Sequence, residues 1–394
     1  MLHSFSFKNF LSFRDETVVS FALNKHAPRN NLSADDSAGV RVTKAMAVVG
    51  PNGSGKTNLL KPLSFLAWFV SASFQGDPKG RIPVEPHFFG DSQSSEFQVE
   101  FDTDGKLYRY GLVVTPERVL SESLHVKTSR LFSYVFTREW VEADRSYRIR
   151  QQDFGFNPRE AEKVRENASL ISTAAQYQVP LASRFATLSL TTNINYVGRV
   201  HMSESHIALA AQFFASNPSA QRRMSELLQV WDLGLSEVRV EMIDLPNEKG
   251  ELQKVPYPFG VHRLGDRIAK LPLPQESSGT QSAFVLLSRL LPVLEHGGLA
   301  VIDEFEADLH PHMLVPILDL FFSPQTNPLN AQIIFTCHSV EVLNLLHKSQ
   351  VTLVQKDDEF SSEAWRLDSV QGVRNDDNLY AKYMAGAYGA VPNL

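Results

Sequence analysis

Cysteine is almost missing from this chain of 394 residues, which contains Cys337 alone. A single cysteine excludes an intramolecular disulfide, and such low usage fits the reducing cytoplasm, where we expect the protein to act. No secretory pattern follows Met1, and the longest apolar stretches, such as 63–70, are far shorter than the roughly 20 residues that span a bilayer. We therefore expect no membrane partner.

An excess of basic residues is missing as well, since 38 lysines and arginines stand against 44 aspartates and glutamates. The net charge of −6 argues against a globally basic nucleic-acid-binding protein but leaves room for a local patch. Two basic clusters exist, Arg145, Arg148 and Arg150, and separately Arg222 and Arg223. Solvated surface explains such clusters more often than nucleic-acid contact, so nucleic acid is only a possible partner.

Internal repeats, coiled-coil heptad runs and low-complexity tracts are absent too. Two patterns describe the fold instead. Asp104 and Gly105 separate the strand-like segments 96–101 and 106–114, which predicts a β-hairpin. From about 158 to 233 the pattern is helical, with few turn signals. The length suggests two or three lobes.

The most informative stretch is 50–57, GPNGSGKT, which follows the apolar run 46–49. This order predicts a buried strand, a phosphate-binding loop and the start of a helix, and hence binding of ATP or GTP. Backbone N–H groups of the loop and the helix N-terminus can surround phosphates, while Lys56 adds charge and the Thr57 hydroxyl can bind Mg²⁺. The predicted ATP-binding residues are Asn52, Gly53, Ser54, Gly55, Lys56 and Thr57.

A second apolar run, 298–302, ends in two adjacent carboxylates, Asp303 and Glu304. A run that is apolar at every position is typical of a parallel strand buried on both faces, and open α/β sheets bind ligands at the carboxyl ends of their strands. We therefore predict that Asp303 holds Mg²⁺, directly or through water. Glu304 would orient and deprotonate the attacking water.

A third strand pattern, 331–336, precedes Cys337 and His338. Beside a γ-phosphate His338 could sense or stabilise that group, although a lone histidine is more often structural. The neighbouring motifs favour the catalytic interpretation. We expect Cys337 to be a small packed side chain rather than a reactive thiol.

Ser277, Ser278, Gly279 and Thr280 stand at the predicted start of an apolar-patterned helix. Small hydroxyl residues and a glycine at a helix N-terminus can bind an anion, but many helices are capped in this way. The order of the motifs is more specific than any one of them: phosphate loop, Ser-Ser-Gly, Asp-Glu, histidine.

That order resembles the ABC-type ATPases, in which nucleotide lies between two protomers. Among these, the chain resembles in particular the OLD-like (overcoming-lysogenisation-defect) ATPases of bacterial phage defence, of the stand-alone RloA/AbiL type. The resemblance covers nearly the whole chain and is weakest across 115–240. The segments that carry it are 8–13, 303–311, 337–339, 355–357 and 383–392.

The resemblance implies an α/β fold, namely an ABC-type ATPase head. It would combine a mixed P-loop sheet, an antiparallel β-subdomain and an inserted helical lobe. Residues 1–115 would form the β-subdomain and the P-loop part of the ATPase domain. Residues 116–240 would form the mainly helical lobe, and 241–394 the remainder of the ATPase domain.

The resemblance also assigns Ser278, Gly279 and Gln281 to a signature motif that completes the site of a second protomer. Two positions depart from the family pattern. Thr280 stands where a second glycine is usual, and Leu11 stands where SMC-type relatives commonly carry a basic residue that reaches nucleotide. Arg14 is a possible substitute for the latter.

The implied function is a slow ATPase that uses ATP and Mg²⁺ and assembles as a homodimer or a higher even oligomer. It would act as a switch or sensor for an effector such as a nuclease or toxin. Relatives with a C-terminal nuclease domain continue well past the switch histidine, whereas only 339–394 follow here, so we expect a separate effector polypeptide. Two alternatives stay open: an SMC-like DNA-repair ATPase, which the acidic net charge disfavours, and a scaffold that holds ATP without turnover.

Nucleotide binding should depend on Lys56, because its charge compensates phosphates in a partly desolvated pocket. We expect Lys56→Ala to lose ATP binding while its circular dichroism spectrum and melting temperature stay those of the unmodified protein. Titration with a fluorescent ATP analogue at physiological Mg²⁺ measures this. An unchanged affinity would contradict the phosphate-loop assignment.

Overall fold

A computed structural model describes residues 1–36, 39–195, 197–231, 233–246, 250–307 and 309–392. Asp308, in the stretch 303–311 that carries the family resemblance, lies outside the described residues. The strands are β1 Leu2–Lys8, β2 Thr17–Ser20, β3 Ser33–Asp35, β4 Arg41–Thr43, β5 Ala45–Val49, β6 Ser95–Thr103, β7 Lys106–Val114, β8 Val119–Lys127, β9 Phe132–Val141, β10 Ser146–Gln151, β11 Leu190–Thr192, β12 Glu237–Pro246, β13 Leu252–Leu264, β14 Arg267–Pro272, β15 Leu299–Ile302, β16 Gln332–Thr336, β17 Val351–Lys356 and β18 Ser362–Arg366. The α-helices are α1 Lys56–Ala72, α2 Pro158–Ala161, α3 Leu170–Gln176, α4 Pro180–Ala186, α5 Glu204–Ser216, α6 Pro218–Val230, α7 Ser278–His296, α8 Leu314–Phe322 and α9 Leu379–Met384.

A six-stranded sheet carries the predicted phosphate loop, in the order β11-β15-β16-β5-β17-β18. Its neighbours run parallel except for β18, which pairs antiparallel with β17. The strands β5, β15 and β16 are buried at every position, as their apolar runs predict. Because these strands are parallel, the residues that follow them meet at one edge of the sheet.

Packed layers cover both faces of this sheet, and β5 shows how its residues divide between them. Ala45, Ala47 and Val49 belong to a core shared with α5, α6, α7 and α8. The alternate residues Met46 and Val48 belong to a second core shared with α1 and the strands of the antiparallel sheet. Side chains alternate between the faces of a strand, so each strand contributes to both cores.

A seven-stranded antiparallel sheet, ordered β10-β9-β8-β7-β6-β1-β2, forms the other large layer. The predicted hairpin is present: β6 pairs with β7 through a turn in which Asp104 and Gly105 have φ of 48° and 73°. The predicted α/β architecture, a mixed P-loop sheet with an antiparallel β-subdomain, is therefore confirmed. In the part of the chain described, no helix combines the length and the apolar character needed to cross a membrane.

The segment predicted as a mainly helical insertion, 116–240, consists of two different parts. Residues from 158 to 230 contain helices α2 to α6, as their pattern predicts, but also β11, which joins the P-loop sheet beside β15. Residues 119–151 instead form β8, β9 and β10, which extend the antiparallel sheet beyond the boundary drawn at residue 115. The insertion is thus neither wholly helical nor separate from the two sheets. The division of the chain into three domains stays a prediction.

Charged residues at buried strand positions explain why β8 and β9 escape a pattern-based prediction. Glu122 and Arg138 are both fully buried, where an alternating strand would carry apolar side chains. Glu122 accepts hydrogen bonds from Tyr110 (3.0 Å), Ser169 Oγ (2.7 Å) and the Leu170 N–H (2.8 Å). The guanidinium of Arg138 lies 3.5 Å from Glu122. This buried network ties the sheet to the start of α3.

Candidate functional site

Four strands of the P-loop sheet deliver polar residues to one edge. The phosphate loop follows β5, Asp303 follows β15, His338 follows β16 after Cys337, and Asn193 follows β11. The strands are parallel, so these residues lie at their carboxyl ends, where open α/β sheets bind ligands.

The phosphate loop is pressed against neighbouring backbone and hydroxyl groups. A Cβ on Gly55 would lie 2.3 Å from Ser362 Oγ and 2.9 Å from Ser12 Oγ, and φ of Gly55 is 108°. A Cβ on Gly50 would lie 2.1 Å from the carbonyl oxygen of Val354. Gly55 is therefore required both for its backbone conformation and because a side chain has no space there. Gly50 is required for lack of space alone.

The remaining loop residues present the groups that a phosphate would meet. Asn52 and Gly53 are exposed, whereas Ser54 is buried and its Oγ has no hydrogen-bond partner. The carbonyl oxygen of Ser54 accepts a hydrogen bond from Ser362 Oγ at 2.7 Å, which fixes the loop from behind. An orphaned buried hydroxyl beside exposed loop residues suits a site that binds a polar ligand.

Lys56 is buried and turns back onto its own loop. Its Nζ donates to the carbonyl oxygens of Gly50 (2.8 Å) and Pro51 (3.0 Å). Burial lowers the pKa of Lys56, and nearby carboxylates, Asp303 foremost, act in the opposite direction. Phosphate oxygens would offer this ammonium group charged acceptors in place of neutral carbonyls.

Asp303 joins the loop to the strand behind it. Its carboxylate accepts hydrogen bonds from Thr57 Oγ1, at 2.9 and 3.1 Å to the two oxygens, and from Thr336 Oγ1 at 2.7 Å. The Asn193 side chain fixes its backbone, accepting from the Asp303 N–H (2.7 Å) and donating to the Asp303 carbonyl oxygen (2.8 Å). A hydroxyl and a carboxylate together match the oxygen ligands that Mg²⁺ takes beside a nucleotide, so the residues fit that ion.

Glu304 lies beside Asp303 with its backbone in the left-handed region, at φ of 47°. Its N–H donates to Thr336 Oγ1 at 2.7 Å, which helps to hold this uncommon conformation. The carboxylate forms an ion pair with Arg199 on one oxygen, and its other oxygen lies 3.6 Å from His338 Nε2. The two predicted catalytic residues, Glu304 and His338, are thus brought together.

Glu306 fixes the turn that carries His338. One carboxylate oxygen accepts hydrogen bonds from the backbone N–H groups of His338 and of Ser339, the latter at 3.3 Å. The other oxygen is buried, with no hydrogen-bond partner in the part of the chain that the structure describes. Cys337 is fully buried in the same turn, and burial, with the Glu306 charge, raises the pKa of its thiol. This agrees with the predicted packing role, because a neutral buried thiol is a poor nucleophile.

The predicted signature residues lie at the start of α7 and make local contacts. Ser277 caps the helix by accepting the Thr280 N–H at 3.1 Å, and Gln281 donates to two carbonyl oxygens of the preceding turn. Ser278 is exposed and Gly279 is half-buried. Among the described residues, no hydrogen bond or ion pair joins this helix start to the phosphate loop or to Asp303. The chain therefore does not bring the signature residues into its own site through such a contact.

Several residues of the site escape reasoning from the sequence. β11 is only three residues long, so Asn193 lies in a stretch whose pattern is otherwise helical. Arg199 is separated from Glu304 by 105 positions and belongs to no motif. Thr336 ends a strand that the sequence predicts. Its position directly after the buried residues of that strand is the signal that could have pointed to a place in the site.

A family model described as "AAA domain, putative AbiEii toxin, Type IV TA system" matches residues 45–344. The chain belongs to this AAA domain family. The match includes the phosphate loop, Asp303, Glu304 and His338, and an AAA domain is a nucleotide-binding ATPase module, so the predicted ATP-binding class is supported.

Two solved structures are similar to this AAA protein at low sequence identity. One is described as the crystal structure of the SmcHead bound to the C-winged helix domain of ScpA, with 14% identity, a TM-score of 0.49, and coverage of 94% of this chain and 99% of that chain. The other is the SMC head domain from Thermotoga maritima, with 13% identity, a TM-score of 0.44, and coverage of 93% and 98%. No curated protein matches the chain.

Thr336→Val should weaken binding of nucleotide in the presence of Mg²⁺ by about tenfold, because Asp303 loses a donor that orients its carboxylate. Affinity measured in EDTA should change little, since the loop and Lys56 are untouched. Thr336→Ser keeps the hydroxyl and serves as the matched control. Equal losses with and without Mg²⁺ would contradict a role for Thr336 in orienting Asp303 for the ion.

Proposed function

We propose that this AAA protein is an ATP-hydrolysing switch of the ABC and OLD-like type. It closes as a homodimer, or a higher even oligomer, around two nucleotides and controls a separate effector in bacterial anti-phage defence. The observation that carries the proposal is the convergence of Lys56, Thr57, Asp303, Glu304 and His338 at one edge of a parallel sheet.

Binding of the nucleotide would use the phosphate loop and its helix. The N–H groups of the loop and of the first turn of α1 would face the phosphates, and Lys56 would exchange its carbonyl partners for phosphate oxygens. Thr57 and Asp303 would hold Mg²⁺, which, when bound, neutralises charge on the β- and γ-phosphates.

Hydrolysis would use Glu304 as the base. Its carboxylate accepts a proton from the water that attacks the γ-phosphorus, while the bond to the bridging oxygen breaks and leaves ADP and inorganic phosphate. His338, whose Nε2 lies 3.6 Å from Glu304, would stabilise the charge on the transferred group. The side chains of Glu304 and His338 are 39% and 45% exposed, respectively, so a partner surface or a nucleotide can still reach them.

The second protomer would complete the site through the start of its α7. An α-helix leaves its first N–H groups without intrahelical partners, and the exposed Ser278 and half-buried Gly279 stand at that position. Placed against the γ-phosphate, these groups and the positive end of a 19-residue helix would close the site and exclude water. Gln281 is held by Pro274 and Glu276 carbonyls and would support this turn.

The proposed role in defence rests on two supports of different kinds. The order of motifs resembles that of the RloA/AbiL-type OLD proteins of phage defence. The description of the matching family names a putative AbiEii toxin and a type IV toxin–antitoxin system. In the proposed switch, an ATP-dependent change of assembly would restrain or release a partner nuclease or toxin. The effector is therefore proposed to be a separate protein, and the switch to act in the cytoplasm.

Glu304→Gln should reduce ATP hydrolysis by about 10²–10⁴-fold, because the amide cannot accept the proton from water. Its affinity for ATP should stay near that of the unmodified protein, since the phosphate loop is unchanged. Phosphate release measures the first quantity and titration with a fluorescent ATP analogue the second. Glu117→Gln is the matched control, because it makes the same change in an exposed residue that pairs with Arg81.

Hydrolysis at the unmodified rate by Glu304→Gln would show that another residue is the base. ATP binding without hydrolysis in every variant, including the unmodified protein, would instead favour the scaffold that holds ATP without turnover.

A further inference from the structure

The carboxylate of Glu304 has two charged or titratable neighbours. One of its oxygens is paired with the Arg199 guanidinium, and the other faces His338 Nε2 at 3.6 Å. A guanidinium stays charged at any pH that proteins experience and offers only donors. The proposed base therefore has a permanent cation on one of its two carboxylate oxygens.

Arg199 is held at this place by a short hairpin whose ends are tied to each other. The Val200 N–H donates to the Asn193 carbonyl oxygen (2.8 Å), and the Asn195 N–H donates to the Gly198 carbonyl oxygen (2.9 Å). The side chain of Asn193 in turn holds the backbone of Asp303. Asn193 thus links the base of the hairpin to Asp303, the residue before Glu304.

The same hairpin is tied to the helix that follows the phosphate loop. Lys61, one turn after Thr57 on α1, donates from Nζ to the carbonyl oxygen of Val197 at 3.0 Å. Lys61 is buried, and burial lowers its pKa. This hydrogen bond links the hairpin to the helix whose first turn would face the phosphates.

The position of Arg199 also leaves part of its bonding capacity unused. Its Nε is buried, and no described residue is its hydrogen-bond partner. Arg289, on α7, is close enough that its charge repels that of Arg199, and no ion pair of Arg289 occurs among the described residues. Arg199 therefore lies near a second guanidinium group, whose charge opposes its own.

We propose that Arg199 is a latch that holds Glu304 in an ion pair and so limits ATP hydrolysis until the hairpin moves. This rests on the proposed function, because it assumes that Glu304 is the base. Arg199 is a positioning residue here, since it acts on ATP through Glu304. Its release would allow the carboxylate to accept a proton from water.

Arg199→Met tests the latch, because it removes the charge and all donors while keeping a long side chain. Steady-state kinetics with ATP and Mg²⁺ should show kcat raised by about fivefold, the size expected for loss of a partly exposed ion pair, and KM within about twofold of the unmodified value. Arg199→Lys keeps a charge and should restore the low rate. Arg81→Met removes an exposed ion pair away from the site and is the matched control.

Double variants separate the latch from the proposed function. Arg199→Met combined with Glu304→Gln should show no gain over Glu304→Gln alone. If hydrolysis depends on Glu304 but Arg199→Met is unchanged or slower, the latch is wrong and the proposed function stands. If Glu304→Gln hydrolyses like the unmodified protein, the proposed function fails whatever Arg199 does. Should Arg199→Met lose its melting transition, Arg199→Gln, which is shorter and neutral, carries the same expectation and the same contradiction.

Discussion

The carboxylate of Asp303 accepts hydrogen bonds from two threonines that come from distant parts of the chain, Thr57 at the start of α1 and Thr336 at the end of β16. This cluster joins the phosphate loop, the strand that carries the acids and the strand that carries His338. Asp303 is 2% exposed, so an unsatisfied charge here would be costly. The parallel sheet is what allows three strand ends to meet at one carboxylate.

The charged side chains of the site are paired with other groups of the chain, and this affects how the site can bind a nucleotide. Lys56 donates to loop carbonyls, Thr57 to Asp303, and Glu304 pairs with Arg199. A nucleotide would have to replace some of these contacts, so part of its binding free energy would go into rearrangement.

How much could be predicted from the sequence differs between the strands and the contacts across them. The apolar runs before Gly50 and Asp303 identify β5 and β15, because a strand buried on both faces needs apolar residues at every position. By contrast, β8 and β9 bury Glu122 and Arg138, which breaks the alternation that marks a strand. The ion pair of Arg199 and Glu304 depends on tertiary folding alone, and no local sequence pattern predicts it.

Sedimentation velocity of Glu304→Gln protein tests the proposed closure of two protomers on ATP. With Mg²⁺ and ATP, the mass derived from the sedimentation of this variant should be twice the mass found without nucleotide, because hydrolysis no longer opens the site. The same protein carrying Ser278→Arg should bind ATP and yet keep the smaller mass, since the added side chain obstructs the partner's γ-phosphate. A mass that does not respond to ATP in Glu304→Gln, or that still doubles with Ser278→Arg, would contradict a site shared between two protomers.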